Sequence, residues 1–146
     1  MVDVGKKAPT DRSAIARARV RFPRGVLERV LEGGGGKGPV TEVARAAGIL
    51  AAKRTGDLIP MCHPLGLDHL EIRFHPDGDT LEIRCRAATR GRTGVEMEAL
   101  VGAAIAALTV YDMTKGLDHG IAIERVDLLE KRGGRSGIWR RSDAGD

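Results

Sequence analysis

The sequence is poor in cysteine and in aromatic residues, and each shortage argues against a class of protein. Its two cysteines, Cys62 and Cys85, are too few for a disulfide framework and lack the paired spacing of a zinc ribbon or a redox motif. Aromatic residues make up only 3% of the chain, so a stacking surface for single-stranded nucleic acid is hard to build. We therefore expect reduced thiols and no nucleic-acid partner.

The chain also lacks a long uninterrupted apolar run. No run reaches the roughly 18 residues of a membrane helix, and the first seven residues lack the apolar stretch of a signal peptide. Hydrophobic residues make up 42% and charged residues 30%, which is an ordinary globular balance. These features predict a cytoplasmic protein with no membrane partner, folded as a single domain over residues 1–146.

What the sequence does have is an excess of positive charge. The net charge is +4 and the pI is about 9.4. Such a balance favours an anionic partner, although charge bears on encounter and solubility rather than on fold. A small phosphorylated ligand fits the charge at least as well as nucleic acid does.

Hydrophobic periodicity predicts the order strand, helix pair, strand, strand, helix, strand. The first strand is expected at 13–22, where small or apolar residues alternate with basic ones. A short helix follows Pro23 and ends at the glycines 33–36, and a second runs over 39–53 and is closed by Thr55-Gly56-Asp57. The remaining elements are a hairpin at 67–74 and 80–88, a long helix at 95–115, and a strand at 120–129. This order predicts an α+β, ferredoxin-like fold with helices on one face of an antiparallel sheet, and the basic Gly/Ser-rich tail from about residue 132 is expected to be mobile.

The long helix has no polar face through its middle. Between Ala99 and Val110 only Gly102 and Thr109 interrupt the apolar residues, a pattern typical of a helix buried on all sides. One small sheet covers only one side. We predict that the alanine-rich side packs on a neighbouring subunit, and the alternative is that loops or the first helices cover it. The alanines concerned are Ala103, Ala104, Ala106 and Ala107.

Charged residues return only at the two ends of this helix. Glu96 and Glu98 lie at its start, where the helix dipole favours anions, so helix capping and ligand binding both explain them. Asp112 lies at its end, where the dipole disfavours an anion. A surface pair with Lys115 would recover only about 0.2–0.5 kcal/mol, which favours a functional role as a general acid and base. The two ends are about 24 Å apart at 1.5 Å per residue, so only a pocket between subunits would unite them.

Two further segments carry candidate binding residues. Lys37 follows a glycine run that lacks the spacing of a Walker phosphate loop. The run is a flexible linker, or Lys37 contacts a phosphate just before the next helix, and both interpretations remain open. In LIPMCHPL, residues 58–65, two prolines flank Met61, Cys62 and His63 and can present the imidazole rigidly. A metal is not favoured there, because adjacent residues point apart and no second ligand pair exists.

Six segments, taken together, resemble the molybdenum cofactor biosynthesis protein C family, the cyclic pyranopterin monophosphate synthases. They are MVDV at residue 1, KGPV at 37, AGILAAKRTGDLIPMCHPL at 47, TGVEMEAL at 93, LTVYDMTKG at 108 and KRGGRSG at 131. The resemblance implies a ferredoxin-like subunit, a homohexamer built as a trimer of dimers, and active sites at subunit interfaces. It also implies a lyase that converts 3′,8-cyclo-7,8-dihydroguanosine 5′-triphosphate into cyclic pyranopterin monophosphate and diphosphate.

The resemblance also implies residue roles by position. Asp112 and Lys115 match the catalytic pair of the family. The expected substrate-binding residues are Met61, Cys62, His63, Glu96, Met97 and Glu98, with Lys37, Arg12 and Lys131 on the phosphates. Arg135 stands where the family often has Lys, and Met61 where it often has Leu. No resident cofactor is implied, although a triphosphate can carry Mg²⁺ with it.

Two competing functions remain at this stage. Ferredoxin-like folds also bind small ligands or nucleic acid without chemistry, and a binding module has little need of Asp112 at an unfavourable helix end. A nucleic-acid binder would lose affinity steeply with salt. A purely structural oligomer would leave LIPMCHPL with no role beyond a turn.

Overall fold

A five-stranded antiparallel sheet carries the helices on one face. The computed structural model describes residues 1–34 and 37–142, so part of the predicted glycine run and the last four residues lie outside it. The strands are β1 (Thr10–Arg21), β2 (His69–Asp77), β3 (Thr80–Gly91), β4 (Ala122–Arg132) and β5 (Ile138–Arg140), and the helices are α1 (Val26–Arg29), α2 (Val40–Lys53), α3 (Thr55–Leu58) and α4 (Glu96–Thr114). The strand order is β2-β3-β1-β4-β5, with β1 between β3 and β4. This arrangement confirms the ferredoxin-like, α+β prediction.

Strand β1 shows how the sequence alternation builds the two faces of the sheet. Its small residues, Ala14, Ala16, Ala18 and Val20, are fully buried under the helices. The residues between them point to the opposite face, where Arg17 donates two hydrogen bonds to Asp127 on the neighbouring strand at 3.0 and 2.8 Å. Arg17 is buried as part of this ion pair, so it does not belong to a ligand site.

Helix α4 lies over the middle of the sheet and is covered from above by α2. It contacts β1, β3 and β4 below and α2 above. By length and hydropathy alone, residues 96–114 would pass as a membrane span. More than half of that stretch is buried within the chain, as in the core helix of a soluble domain.

Two glycines allow α2 and α4 to approach closely. A Cβ atom at Gly48 would lie 2.7 Å from the carbonyl oxygen of Gly102 and 2.5 Å from Ile72. A Cβ atom at Gly102 would lie 2.6 Å from the sulfur of Cys85 on the sheet below. Neither position has room for a side chain, so the two helices and the sheet are locked into one layered core.

The prediction for the alanine side of α4 is mostly wrong. Ala103, Ala106 and Ala107 are fully buried inside the same chain, because α2 and the sheet enclose them. Only Ala104 remains partly exposed. The side of α4 left open instead carries Met97, Leu100, Ala104, Leu108 and Tyr111, which recur every three or four residues as a single stripe. We call this set the α4 stripe.

Two local features differ from the sequence prediction. Thr55-Gly56-Asp57 was expected only to close α2, but it begins the one-turn helix α3. No strand was expected after residue 132, whereas Ile138–Arg140 pairs with β4 as β5. Glu130 accepts hydrogen bonds from Arg132 and Arg140, and these contacts lower the pKa of its carboxyl to about 2. These ion pairs hold β5 against β4, and hydrophobic periodicity does not predict them.

Candidate active site

Three predicted residues meet at the end of α4, and we call them the Asp112 cluster. Lys115 Nζ lies 2.7 Å from one carboxylate oxygen of Asp112, and Lys37 Nζ lies 3.2 Å from the other. Lys37 also donates a hydrogen bond to the backbone oxygen of Asp112 at 3.1 Å. All three side chains are about half exposed. The cluster therefore holds two ammonium groups around one carboxylate, at the helix end that is least favourable for the carboxylate alone.

The charges in this cluster fix its protonation state. Hydrogen bonds from Lys115 and then Lys37 lower the pKa of the Asp112 carboxyl. The same contact with Asp112 raises the pKa of the Lys115 ammonium. At neutral pH, Asp112 is thus a carboxylate and Lys115 an ammonium, which holds its proton more tightly because of this contact.

A separate cavity of about 1030 Å³ opens at the other end of α4, and we call it the Arg12 cavity. Five predicted residues line it, namely Arg12, Met61, His63, Glu96 and Lys131. Arg12 and Lys131 come from the helix-facing side of β1 and β4, and Glu96 is the first residue of α4. Lys131 forms an ion pair with Glu96 at 2.9 Å, so Glu96 contacts a cavity lysine and makes no side-chain cap to its helix.

The Arg12 cavity is electropositive and contains unsatisfied donors. Six Lys or Arg side chains line it against two carboxylates. Within the described part of the chain, Arg12 Nε and the Thr93 hydroxyl are buried and have no hydrogen-bond partner. A buried donor without an acceptor costs roughly 1–3 kcal/mol. The excess of Lys and Arg in the lining favours an anionic ligand.

The LIPMCHPL segment forms part of the cavity wall, as an irregular turn between α3 and β2. Gly56 of α3 holds it in place, because a Cβ atom there would lie only 3.2 Å from Pro64. Met61 and His63 reach the Arg12 cavity. Cys62 is instead near Glu98, and burial first and Glu98 second raise the pKa of its thiol. Cys62 is therefore a neutral thiol at pH 7 and not an activated nucleophile.

Glu98 occupies a smaller pocket behind this segment. It is 3% exposed, and the pocket is also lined by Thr55, Asp57 and Pro64. Burial, and less strongly the charge of Glu96, raise the pKa of the Glu98 carboxyl above its ordinary 4.5, although a hydrogen bond from its own backbone opposes the shift. The Glu98 carboxyl thus takes up a proton more readily than an ordinary glutamate does.

The burial of Glu98 predicts how Glu98→Gln changes stability with pH. The native state binds this proton at a higher pH than the unfolded state does, so the wild type loses stability as pH rises above 4.5 through the raised native pKa. Gln cannot ionise. We expect the variant to be more stable than the wild type at pH 8, by on the order of 1 kcal/mol, and the difference to shrink toward pH 5. Urea unfolding at both pH values measures it, and a wild type that is the more stable protein at pH 8 would contradict the assignment.

The structure therefore divides the predicted site residues between the two ends of α4. The Asp112 cluster lies at the C-terminal end, and the Arg12 cavity lies at the N-terminal end with Glu98 and Cys62 behind it. Met97 belongs to neither group and lies on the α4 stripe between them. Glu96 and Asp112 are separated by about 24 Å along α4, so one chain does not bring the two groups together.

Several cavity residues were not singled out from the sequence. The N-terminal segment 2–8 forms one wall, including Lys6 and Lys7, and Arg92 and Thr93 form another. An adjacent lysine pair near a chain end gives no signal, because most lysines are simply solvated. Arg135, which the sequence did mark as basic, also lines the cavity. Across residues 1–34 and 37–142, no group of three or more His, Cys, Asp or Glu side chains is arranged to hold a metal ion.

Known proteins resemble this chain over nearly its whole length. Residues 1–134 match the model of the MoaC family. A protein of Thermomicrobium roseum is 55% identical over 145 residues, covering 98% of this chain and 87% of its own length. Proteins of Chloroflexus aggregans and Novosphingobium aromaticivorans are 53% and 52% identical, covering 99% and 98% of this chain and 88% and 91% of theirs. All three are named cyclic pyranopterin monophosphate synthase, and the chain belongs to the MoaC family.

Proposed function

We propose that this protein is a cyclic pyranopterin monophosphate synthase, a lyase of molybdenum cofactor biosynthesis. It converts (8S)-3′,8-cyclo-7,8-dihydroguanosine 5′-triphosphate into cyclic pyranopterin monophosphate and diphosphate. The observation that carries this proposal is a sequence identity of 52–55%, over nearly the whole chain, with proteins of that name. The chemistry of the two groups of residues is consistent with such a reaction, which needs both phosphate binding and proton transfer.

The Arg12 cavity suits the phosphate-bearing part of this substrate. Its volume of about 1030 Å³ is large enough for a nucleotide. Its excess of lysine and arginine offsets the charge of a triphosphate and of the departing diphosphate. Arg12 and Lys131 bind these phosphates, His63 and Met61 contact the rest of the substrate, and Mg²⁺, if needed, arrives with the triphosphate.

The Asp112 cluster supplies the proton transfers. Opening the imidazole ring and closing the pterin ring require protons to be delivered and recovered at ring nitrogens. Lys115 begins as an ammonium, donates its proton, and becomes the amine that can accept one in a later step. Asp112 orients Lys115 and stabilises its charged form, and Lys37 adds a second positive charge beside the reacting phosphate.

The α4 stripe explains how two groups about 24 Å apart act on one substrate. Helix periodicity places Lys115 on the same line as Met97, Ala104 and Leu108, so the stripe ends in the catalytic amine. If two copies pack their stripes antiparallel across a two-fold axis, the start of one α4 lies beside the end of the other. Each dimer then has two composite sites, each combining the Arg12 cavity of one copy with the Asp112 cluster of the second.

The stripe has the composition of such an interface. Leu108 is 52% exposed in the single chain, which is unusual for a leucine in the middle of a long helix. On the neighbouring helix, Val43 and Leu50 are also exposed, at 42% and 52%. These exposed apolar side chains on α2 and α4 are available for packing against a second copy. We extend this to the homohexamer, a trimer of such dimers, working in the cytoplasm.

The direct test of the activity is incubation of the purified protein with the cyclic dihydroguanosine triphosphate. We expect release of diphosphate together with a product that becomes a fluorescent pterin on oxidation. Diphosphate release without the pterin would indicate simple hydrolysis. Neither product, from a folded and oligomeric protein, would contradict the proposed function.

A further inference from the structure

The turn between β4 and β5 is built from glycines in left-handed backbone conformations. Gly133, Gly134 and Gly137 have φ values of 102°, 72° and 63°, a region that other residues rarely adopt. The turn is closed by a hydrogen bond from the Gly133 amide to the Gly137 carbonyl at 2.9 Å and one from the Gly137 amide to the Gly134 carbonyl at 3.3 Å. Its geometry is therefore defined by its own backbone.

This turn lies directly against Arg12. A Cβ atom at Gly134 would lie 2.1 Å from Nη1 of Arg12 and 2.8 Å from its Cζ, so the guanidinium occupies the space that a side chain would fill. At Gly133 a Cβ atom would lie 2.2 Å from the backbone oxygen of Asp11. The turn thus packs on the backbone of β1 at Gly133, and Gly134 contacts the guanidinium group of Arg12.

No carboxylate in the described chain holds Arg12 in place. Lys131 is fixed by Glu96, but Arg12 has no ion pair among residues 1–34 and 37–142, and its buried Nε has no acceptor. With no ion pair from these residues to hold it, the guanidinium lies against the Gly134 backbone, which limits its position on that side. An arginine held by packing keeps its charge and its donors available for a ligand, whereas one held by a carboxylate does not.

We infer that Gly134 is a positioning residue, whose missing side chain leaves the Arg12 guanidinium aimed into the cavity, where it meets the phosphates of the substrate. This inference rests on the proposed function only in that an oligophosphate occupies the Arg12 cavity. It assigns to Gly134, the second glycine of KRGGRSG, a role in phosphate affinity that is separate from turn formation.

The matched pair Gly134→Ala and Gly137→Ala tests this inference. Both substitutions impose similar backbone strain in the same turn, because the two φ values are close, but nothing lies within 4 Å of a Cβ atom at Gly137. Inorganic tripolyphosphate is the probe, with affinity measured by calorimetry on the full-length protein. We expect Gly134→Ala to weaken binding about tenfold and Gly137→Ala to leave it near wild type, with similar melting temperatures for the two variants.

A double-mutant cycle separates positioning from general damage. In an Arg12→Ala background, Gly134→Ala should cause no further loss of tripolyphosphate affinity, because the group it displaces is already gone. Equal affinities of the two alanine variants, or full additivity with Arg12→Ala, would overturn the inference. If Gly134→Ala does not fold, Arg12→Lys decides. Lysine keeps the charge but lacks the planar group that rests on Gly134, so Arg12→Lys should bind tripolyphosphate more weakly than wild type, and wild-type affinity would overturn the inference.

The outcome also distinguishes this inference from the proposed function. A wild-type protein that forms the pterin, together with a Gly134→Ala variant that binds like Gly137→Ala, would remove only the role of Gly134. A wild-type protein that does not bind tripolyphosphate would overturn the role of Gly134 and the phosphate site together. A protein that binds tripolyphosphate with the expected pattern but forms no pterin would retain Gly134 as a positioning residue and remove the proposed reaction.

Discussion

Replacing Lys115 by Ala is expected to lower product formation by about 10³-fold while leaving substrate affinity within a few-fold of wild type. The substitution removes the proton donor, and general acid–base catalysis by one residue contributes about 10²–10⁴-fold. Asp112 keeps Lys37 as a partner, at 3.2 Å, so its carboxylate is not left without a positive neighbour. Single-turnover kinetics with the cyclic dihydroguanosine triphosphate, together with substrate binding to the variant, measure the two effects separately.

A suitable control is Arg73→Ala. Arg73 is 66% exposed, forms an ion pair with Glu71, and lies on β2 away from both groups of site residues. It also removes one positive charge, so a general electrostatic effect on an anionic substrate would appear in both variants. Normal turnover by Lys115→Ala would remove Lys115 from the chemistry.

Lys131→Ala is expected to lower kcat/KM by about a hundredfold, mainly through weaker substrate binding. The change removes a phosphate contact and also leaves Glu96 without its partner at 2.9 Å, so a negative charge then faces the incoming phosphates. This loss should appear in affinity, in contrast to the loss expected for Lys115→Ala. Steady-state kinetics and tripolyphosphate binding measure it.

Combining Glu96→Gln with Lys131→Ala tests whether the unpaired Glu96 carboxylate repels the phosphates. The double variant removes both members of the ion pair, so it should recover part of the affinity lost in Lys131→Ala alone. The single variant Glu96→Gln frees Lys131 and should not weaken phosphate binding. A Lys131→Ala protein with wild-type tripolyphosphate affinity would show that the cavity does not bind phosphate through this residue.

The layout of the fold follows from sequence periodicity. Alternating small and basic residues in β1 place Ala14, Ala16 and Ala18 under the helices, and the apolar run of α4 makes it the central helix. Periodicity does not tell which neighbour covers each side of an apolar helix. That depends on the close contact between Gly48 and Gly102, which brings α2 onto the alanines of α4, and a long-range contact of this kind leaves no local pattern.

The candidate site was predictable in its residue types but not in its surroundings. The unfavourable helix-end position marked Asp112 for function, and the structure adds Lys37 from a distant segment to its contacts. The walls of the Arg12 cavity come from the N-terminal segment and the β4–β5 turn, which have no hydrophobic period to read. The strand β5 was missed for a related reason, because ion pairs through Glu130 hold it.

The central claim is that each active site combines the Arg12 cavity of one copy with the Asp112 cluster of another. Its most direct test is to mix two impaired variants, Lys115→Ala and Lys131→Ala, to let their subunits exchange, and to assay activity well below the wild-type KM, where each parent is expected to be at least about a hundredfold less active than wild type. In a mixed dimer, one site receives both damaged groups and the other receives neither. Random exchange should therefore restore about a quarter of wild-type activity, because half of the dimers are mixed and each of these has one intact site. Mixing Lys115→Ala with Asp112→Ala, which damage the same cluster, should restore nothing. Mixed oligomers of Lys115→Ala and Lys131→Ala that are no more active than their parents would contradict a shared site.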